Sequence, residues 1–151
     1  MTASGVMRIL FISLLLVLLS ASALSRDADI RRRYKKFQRQ HINKEMSANK
    51  CDEVMQGRKI AKTNKNKCKK INTFIVDDID PVRAVCVKGE PHGNMTKSRQ
   101  CFDIVVCTLK SPRAKYPNCE YRGDKLHKKI IIKCVNGFPV HYDGDIGHCD
   151  Y

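Results

Sequence analysis

The 151-residue chain is short, strongly basic and rich in cysteine. Its net charge of +14 predicts an anionic partner, which can be RNA, an anionic membrane or a heparin-like polysaccharide, and charge alone does not choose among them. The eight cysteines are an even number without a C-x-x-C pair, which favours an exported protein with four disulfides and argues against a zinc site. We expect no metal and no other cofactor.

Residues 1–25 are predicted to be a signal peptide. Arg8 precedes the apolar run at residues 9–19, and small residues follow it. Cleavage is expected between residues 23 and 26, and the sequence leaves the exact bond open. The apolar run is too short to span a bilayer as a helix, so we expect no stable membrane insertion.

Residues 26–151 are expected to form one secreted domain, and we expect it to be a monomer. The leader contains only one of the basic residues and none of the acidic ones, so the net charge of this domain is +13. A helix is predicted at residues 27–43, with Asp27 as a candidate N-cap. Its apolar positions share one face with a histidine that should therefore point inward: Ile30, Tyr34, Phe37 and His41.

A second short helix should follow Ser47, and the polar stretch at residues 56–67 should be a loop or a frayed helix. Beyond it, runs rich in β-branched residues predict strands at 71–76, 82–87, 102–109 and 130–135. Helices followed by antiparallel strands predict an α+β domain with the helices packed on a sheet.

A glycosylation motif, Asn94-Met95-Thr96, falls in the polar loop between Cys86 and Cys101. A glycan on Asn94 would be exposed there. Because such three-residue motifs often arise by chance, its occupancy stays open.

Three further motifs supply the groups that RNA cleavage without a metal requires. Such cleavage needs a base for the ribose 2′-hydroxyl, an acid for the departing 5′-oxygen and a cation for the phosphoryl oxygens. Two histidines and a lysine meet this need, because histidine exchanges a proton near neutral pH. The motifs are Gln40-His41, Cys68-Lys69-Lys70-Ile71-Asn72-Thr73-Phe74 and Pro139-Val140-His141-Tyr142-Asp143.

In this order, with cysteines between them, the motifs resemble the pancreatic ribonuclease (ribonuclease A) superfamily. The middle motif looks like the family signature CKxxNTF, and the loop pattern is most similar to angiogenin-like and fish members. The resemblance covers residues 34–146. It implies a ribonuclease A-like α+β fold, in which N-terminal helices pack on a curved antiparallel sheet stapled by four disulfides.

The resemblance also implies a role for each motif residue. His41 would be the general base, His141 the general acid, and Lys69 the cation that stabilises the pentavalent phosphorane. Among the other positions, Gln40 would bind a phosphoryl oxygen and Thr73 would recognise a pyrimidine. Tyr142, where the family usually has Phe, would pack beside the base. Asn72 would help to order the site, and Asp143 would orient the ring of His141. The remaining histidines, His92, His127 and His148, are interpreted as surface residues.

The same resemblance implies that six of the cysteines form three disulfides as in the family, so that the remaining two cysteines would form the fourth. The fourth pair departs from the family and would tie down a C-terminal tail that could crowd the base pocket and lower turnover. The pairs are Cys51–Cys107, Cys68–Cys119, Cys86–Cys134 and Cys101–Cys149.

The function that follows is a secreted endoribonuclease with pyrimidine preference. A second hypothesis is a cationic host-defence protein that acts on microbial membranes independently of catalysis. A third is an angiogenin-like signal that enters cells and the nucleus, for which the basic segments 31–33 and 58–70 are candidate import signals.

Overall fold

In the computed structural model, which describes residues 3–149 and their side chains from residue 5 onward, the leader and the first predicted helix form one continuous helix, α1 (Ala3–His41). Asp27 therefore lies inside a helix, and the predicted N-cap is wrong for this chain. Large apolar side chains of residues 6–24 are exposed. The division between leader and domain stays a prediction.

The apolar part of α1 is longer than the sequence analysis allowed. The helix is long and apolar enough to cross a membrane by length and composition, and it begins near the N-terminus, where a signal sequence passes the same test. Length and composition do not distinguish these two possibilities, so the expectation of no stable membrane insertion stays a prediction.

The second half of α1 confirms the predicted inward face. Ile30, Phe37 and His41 are buried, while Tyr34 is half-buried and its ring lies against Phe138. The helix ends at His41, and the next residue, Ile42, forms a parallel bridge with Ile75.

Between α1 and residue 149, three further helices and six strands follow. A 3-10 turn, Ala48–Lys50, leads into the first of them, as predicted after Ser47. The helices are α2 (Cys51–Gly57), α3 (Ile60–Thr63) and α4 (Ile79–Lys88), and the strands are β1 (Ile71–Ile75), β2 (Glu90–His92), β3 (Met95–Lys97), β4 (Phe102–Leu109), β5 (Tyr121–Val135) and β6 (Phe138–His148).

The predicted strand at residues 82–87 is wrong, because these residues belong to α4. Their β-branched composition favours a strand, but Ile79, Val82, Val85 and Cys86 recur at helical spacing and pack against one core. Asp80 in the first turn also suits the helix dipole. Tertiary packing thus outweighs the local preference.

The strands form one antiparallel sheet in the order β1-β4-β5-β3-β2, with β6 also paired to β5. The long strand β5 pairs with β4 through its first half and with β6 through its second half. Strands β1 and β4 agree with the sequence, whereas β5 begins nine residues before the predicted strand at 130, and the β2–β3 hairpin and β6 were not predicted. The α+β class is confirmed.

Two apolar clusters hold the helices on the sheet. One lies between α1, α4 and the sheet and includes Phe37, Ile104 and Ile132, and the other lies under α2 and α3 and includes Met55 and Phe74. Four disulfides staple these layers: Cys51–Cys107, Cys68–Cys119, Cys86–Cys134 and Cys101–Cys149. The last of them ties the end of the chain to the start of β4.

We expect Gly123→Ala to destabilise the fold. A Cβ at Gly123 would lie 2.0 Å from the backbone oxygen of Ala48, so the turn at residues 48–50 would have to move. The cost should be about 1–3 kcal/mol in urea denaturation. Gly57→Ala is the control, because its Cβ would meet nothing within 4 Å. Equal stability of the two variants would contradict this close packing.

Candidate active site

A basic groove of about 460 Å³ runs between the last turns of α1 and the strand β6. His41 and His141, predicted from separate motifs, both line it. Gln40 and Met95 border the same space. So do three cationic side chains from the helix and the sheet, Arg33, Lys36 and Lys133. The fold therefore brings two proton-transfer groups and several positive charges to one place.

His41 is held in a single tautomer by the first strand. Its Nδ1 lies 2.8 Å from the backbone oxygen of Thr73, and because a carbonyl oxygen only accepts, Nδ1 carries the proton. The lone pair then sits on Nε2. The ring is packed between Phe37, at 5.4 Å between ring centroids, and Tyr142, at 5.2 Å. His41 is thus oriented as a proton acceptor.

Burial, helped by the nearby positive charges of Lys69 and His141, lowers the pKa of His41 to about 3. The hydrogen bond to Thr73 acts in the opposite direction. His41 is consequently neutral at physiological pH, which is the form that a general base needs. A bound phosphodiester would bring a negative charge that raises this pKa towards neutrality.

A chain of hydrogen bonds links Lys69 to the end of α1. Lys69 Nζ donates to Asn72 Oδ1 at 2.7 Å, and Asn72 Nδ2 donates to the backbone oxygen of Gln40 at 2.9 Å. Burial and the charge of Lys36 lower the pKa of Lys69. Asn72 therefore fixes both the ammonium group and the helix end.

His141 lies on β6 and is more exposed than His41. Its Nε2 is 3.8 Å from Asp143 Oδ1, a distance for an ion pair rather than a hydrogen bond. With Nε2 turned to Asp143, the other ring nitrogen, Nδ1, is the one available to a substrate. Asp143 is in a position to orient the ring of His141, and this role stays a prediction.

Comparison with known proteins shows the relationship of this fold. Residues 32–143 match the family described as pancreatic ribonuclease. The chain belongs to the pancreatic ribonuclease family. It is 35% identical over 144 residues to Ribonuclease-like 3 of Danio rerio, covering 92% of this chain and 96% of that protein.

Similarity extends to angiogenins and to solved fish ribonucleases. The chain is 39% identical over 118 residues to Angiogenin-4 of Mus musculus, covering 74% of this chain and 77% of that one. The X-ray structure of zebrafish RNase5 matches with a TM-score of 0.73 and 44% identity, over 77% of this chain and 96% of that chain. The ribonuclease A-like fold and the angiogenin-like, fish-type resemblance are confirmed.

One structural residue of this family member was missed by the sequence analysis. Arg58, assigned to a candidate import segment, instead holds the end of α1, because its Nη1 donates to the backbone oxygens of Arg39 at 3.0 Å and Ile42 at 2.5 Å. These carbonyls flank Gln40 and His41. Counting basic residues in the sequence does not distinguish an arginine that binds a helix end from neighbouring basic residues that are solvated.

The predicted substrate-binding residues lie near the predicted catalytic residues, with differences in detail. Thr73 is buried against His41. Gln40 lines the groove, but its Nε2 donates to Thr63 Oγ1 at 3.0 Å, so one N–H remains for a phosphoryl oxygen. Tyr142 stacks on His41 at an angle of 25° between the rings.

Two residues outside the groove refine the expectations. Asn94 is exposed in the two-residue turn between β2 and β3, a place open to a glycan, whose presence stays a prediction.

His127 was expected to be a surface residue, but it is only 24% exposed, and its Nδ1 lies 2.9 Å from Asp103 Oδ1 on the neighbouring strand. Its cross-strand register with Asp103 explains the difference.

The C-terminal tail continues β6 as far as His148 and pairs with β5. Asp145 binds Lys128 at 3.1 Å, and its charge also reaches the phenol of Tyr142. Whether the tail crowds the base pocket stays a prediction, and residues 150–151 lie outside the described part. Between residues 3 and 149 no cluster of His, Cys, Asp and Glu could hold a metal.

We expect Tyr142→Phe to leave the fold as stable as the wild type or more stable by up to about 1 kcal/mol. The Tyr142 hydroxyl is buried, and although Thr73 is close enough to affect its pKa, no hydrogen bond of normal geometry satisfies it among the described residues. Burial raises the pKa of this phenol. Removing an unsatisfied buried hydroxyl relieves a desolvation cost.

The matched control is Tyr121→Phe. The Tyr121 hydroxyl donates to the backbone oxygen of Lys69 at 2.7 Å, so its removal should cost about 1 kcal/mol. Thermal unfolding of both variants measures the difference. A loss in Tyr142→Phe as large as that in Tyr121→Phe would show that the Tyr142 hydroxyl has a partner.

Proposed function

We propose that this chain is a secreted endoribonuclease that cleaves RNA without a metal and prefers pyrimidines. The observation that carries the proposal is the placement of His41 and His141 on opposite sides of one basic groove, with the charge of Lys69 close to His41. RNA is the substrate, and no cofactor takes part.

His41 and His141 would act as a pair in the first step. His41 Nε2 takes the proton of the ribose 2′-hydroxyl, whose oxygen attacks the adjacent phosphorus, while His141 Nδ1 protonates the departing 5′-oxygen. Lys69 and Gln40 bind the phosphoryl oxygens as negative charge develops on them. The product is a 2′,3′-cyclic phosphate.

In the second step the two histidines exchange roles. His141 takes a proton from water, which attacks the cyclic phosphate, and His41 returns a proton to the 2′-oxygen, leaving a 3′-phosphate. DNA lacks the 2′-hydroxyl nucleophile, so it can bind but cannot be cleaved. Thr73 and Tyr142, which adjoin His41, would contact the pyrimidine.

His41→Ala and His141→Ala should each lower cleavage of pyrimidine-containing RNA by about 100- to 10,000-fold, because each removes one proton-transfer group. Initial rates are measured on the mature protein in the presence of a chelator. His148→Ala is the control, since His148 is exposed on β6 and does not line the groove. Wild-type inactivity, or full activity of both alanine variants, would contradict the mechanism.

A host-defence role is a second candidate, favoured by the net charge of the chain. Basic residues gain about 1 kcal/mol each near an anionic leaflet, so the domain could bind microbial envelopes without cleaving RNA. Uptake and nuclear entry stay a prediction. As Arg58 is clamped to α1, residues 31–33 are the more accessible import candidate.

His141→Ala separates the two functions. If killing is driven by charge, this variant should kill bacteria at the same concentration as the wild type, because it keeps the basic surface. Colony counts after exposure to each protein are the measurement. Loss of killing in step with loss of RNA cleavage would instead make cleavage the cause.

A further inference from the structure

Lys133 on β5 lies directly opposite His141 on β6 in the register of the sheet. Directly opposed residues of an antiparallel pair project from the same face, with Cβ atoms about 4.5–5.5 Å apart. Their neighbours in register, Ile132 and Tyr142, face the core on the other side of the sheet, where Ile132 is buried and Tyr142 is half-buried. Lys133 therefore enters the groove beside the proposed general acid.

The charge around Lys133 is not neutralised by the groove itself. Among the described residues that line the groove, none has a carboxylate, while Arg33 and Lys36 on α1 face Lys133 across it. The salt bridges described for β5 involve other residues: Arg122 with Asp124, His127 with Asp103, and Lys128 with Asp145. The carboxylate of Asp143, 3.8 Å from His141, offsets only part of this charge, so the converging positive charges still raise the local potential and attract an anion.

A solvated surface lysine is the alternative interpretation. It fits Lys125, an exposed residue of the same strand that does not line the groove. It fits Lys133 less well, because Lys133 is half-buried and is held next to His141 by backbone pairing. The two lysines thus differ in position while sharing strand and charge.

The position of Lys133 beside His141 indicates which part of a bound RNA its side chain contacts. His141 protonates the 5′-oxygen of the departing nucleotide, so the chain on the leaving side passes His141. Thr73 and Tyr142, the proposed pyrimidine contacts, adjoin His41 on the other side of the scissile bond. Lys133, as the neighbour of His141, lies on the leaving side.

We propose that Lys133 binds the phosphate on the 3′ side of the leaving nucleotide and so favours substrates that extend beyond the cleaved bond. Met95, from the β2–β3 hairpin, lines the same part of the groove and offers the leaving base an apolar contact. This inference rests on the proposed function for the direction of the chain. It adds a residue of β5 to the groups assigned from the sequence motifs.

Binding tests the contact without requiring cleavage. The probe is a short single-stranded 2′-deoxy oligonucleotide with a pyrimidine at the cleavage position and further nucleotides on its 3′ side. Lys133→Ala should weaken binding by roughly three- to tenfold and reduce the slope of log K against log salt by about 0.7, the value for one phosphate contact on a single strand. Lys133→Arg should retain both values.

Lys125→Ala is the matched control for the loss of one positive charge. If Lys133→Ala and Lys125→Ala change affinity and salt slope equally, the effect is general charge and the inference is wrong. This comparison stands even if the protein proves inactive on RNA, so failure of the inference and failure of the proposed function are distinguishable.

Kinetics then locate the phosphate. A pyrimidine-containing dinucleotide is compared with the same dinucleotide that has a 3′-terminal phosphate. In the wild type and Lys125→Ala the added phosphate should raise kcat/KM, and Lys133→Ala should lose most of this gain. An undiminished gain in Lys133→Ala would overturn the assignment to the leaving side.

Discussion

The attachment of the last turn of α1 to β1 is the constraint on which the site depends. His41 Nδ1 donates to the backbone oxygen of Thr73, and Asn72 Nδ2 donates to the backbone oxygen of Gln40. These two bonds join residues 32 positions apart in the chain. One short seam therefore fixes the tautomer of the proposed base and the place of its neighbour.

Other contacts of this seam serve the same purpose. A helix end leaves carbonyl groups without intrahelical partners, and at this end Arg58 donates to the backbone oxygens of Arg39, within α1, and of Ile42, directly after it. Lys69 reaches Asn72, so the ammonium group is held by the residue that also binds the helix. Because these groups share partners, a shift of α1 against β1 would displace His41, Lys69 and Gln40 together.

The like charges that line the basic groove repel one another, and the rest of the fold supplies the stability that offsets this repulsion. The two apolar clusters anchor α1, α2 and α4 on the sheet, and each disulfide contributes about 2–4 kcal/mol by limiting the unfolded chain. The long strand β5 transmits this rigidity, since it pairs with β4 at one end and with β6, which carries His141, at the other.

Much of the outline could be predicted from local pattern. The α+β class, the inward face of α1, and the strands β1 and β4 follow from periodicity and from β-branched composition. The helix α4 was missed because Val and Ile favour strands locally, whereas packing on the core decides their conformation. The continuity of α1 through Asp27 was missed because Asp27 is a favoured N-cap residue, whereas no residue around it breaks a helix.

The sequence by itself determined the family, the cysteine content, the charge and the identity of the side chains that could transfer protons, since motifs and residue types are local properties of the chain. Only the tertiary structure decided which of the many basic residues face the groove. Lys133 and Lys125 look alike in the sequence, and Arg58 looks like any member of a basic run. The register of β5 with β6 and the docking of α1 distinguish them, because both bring together residues that are distant along the chain.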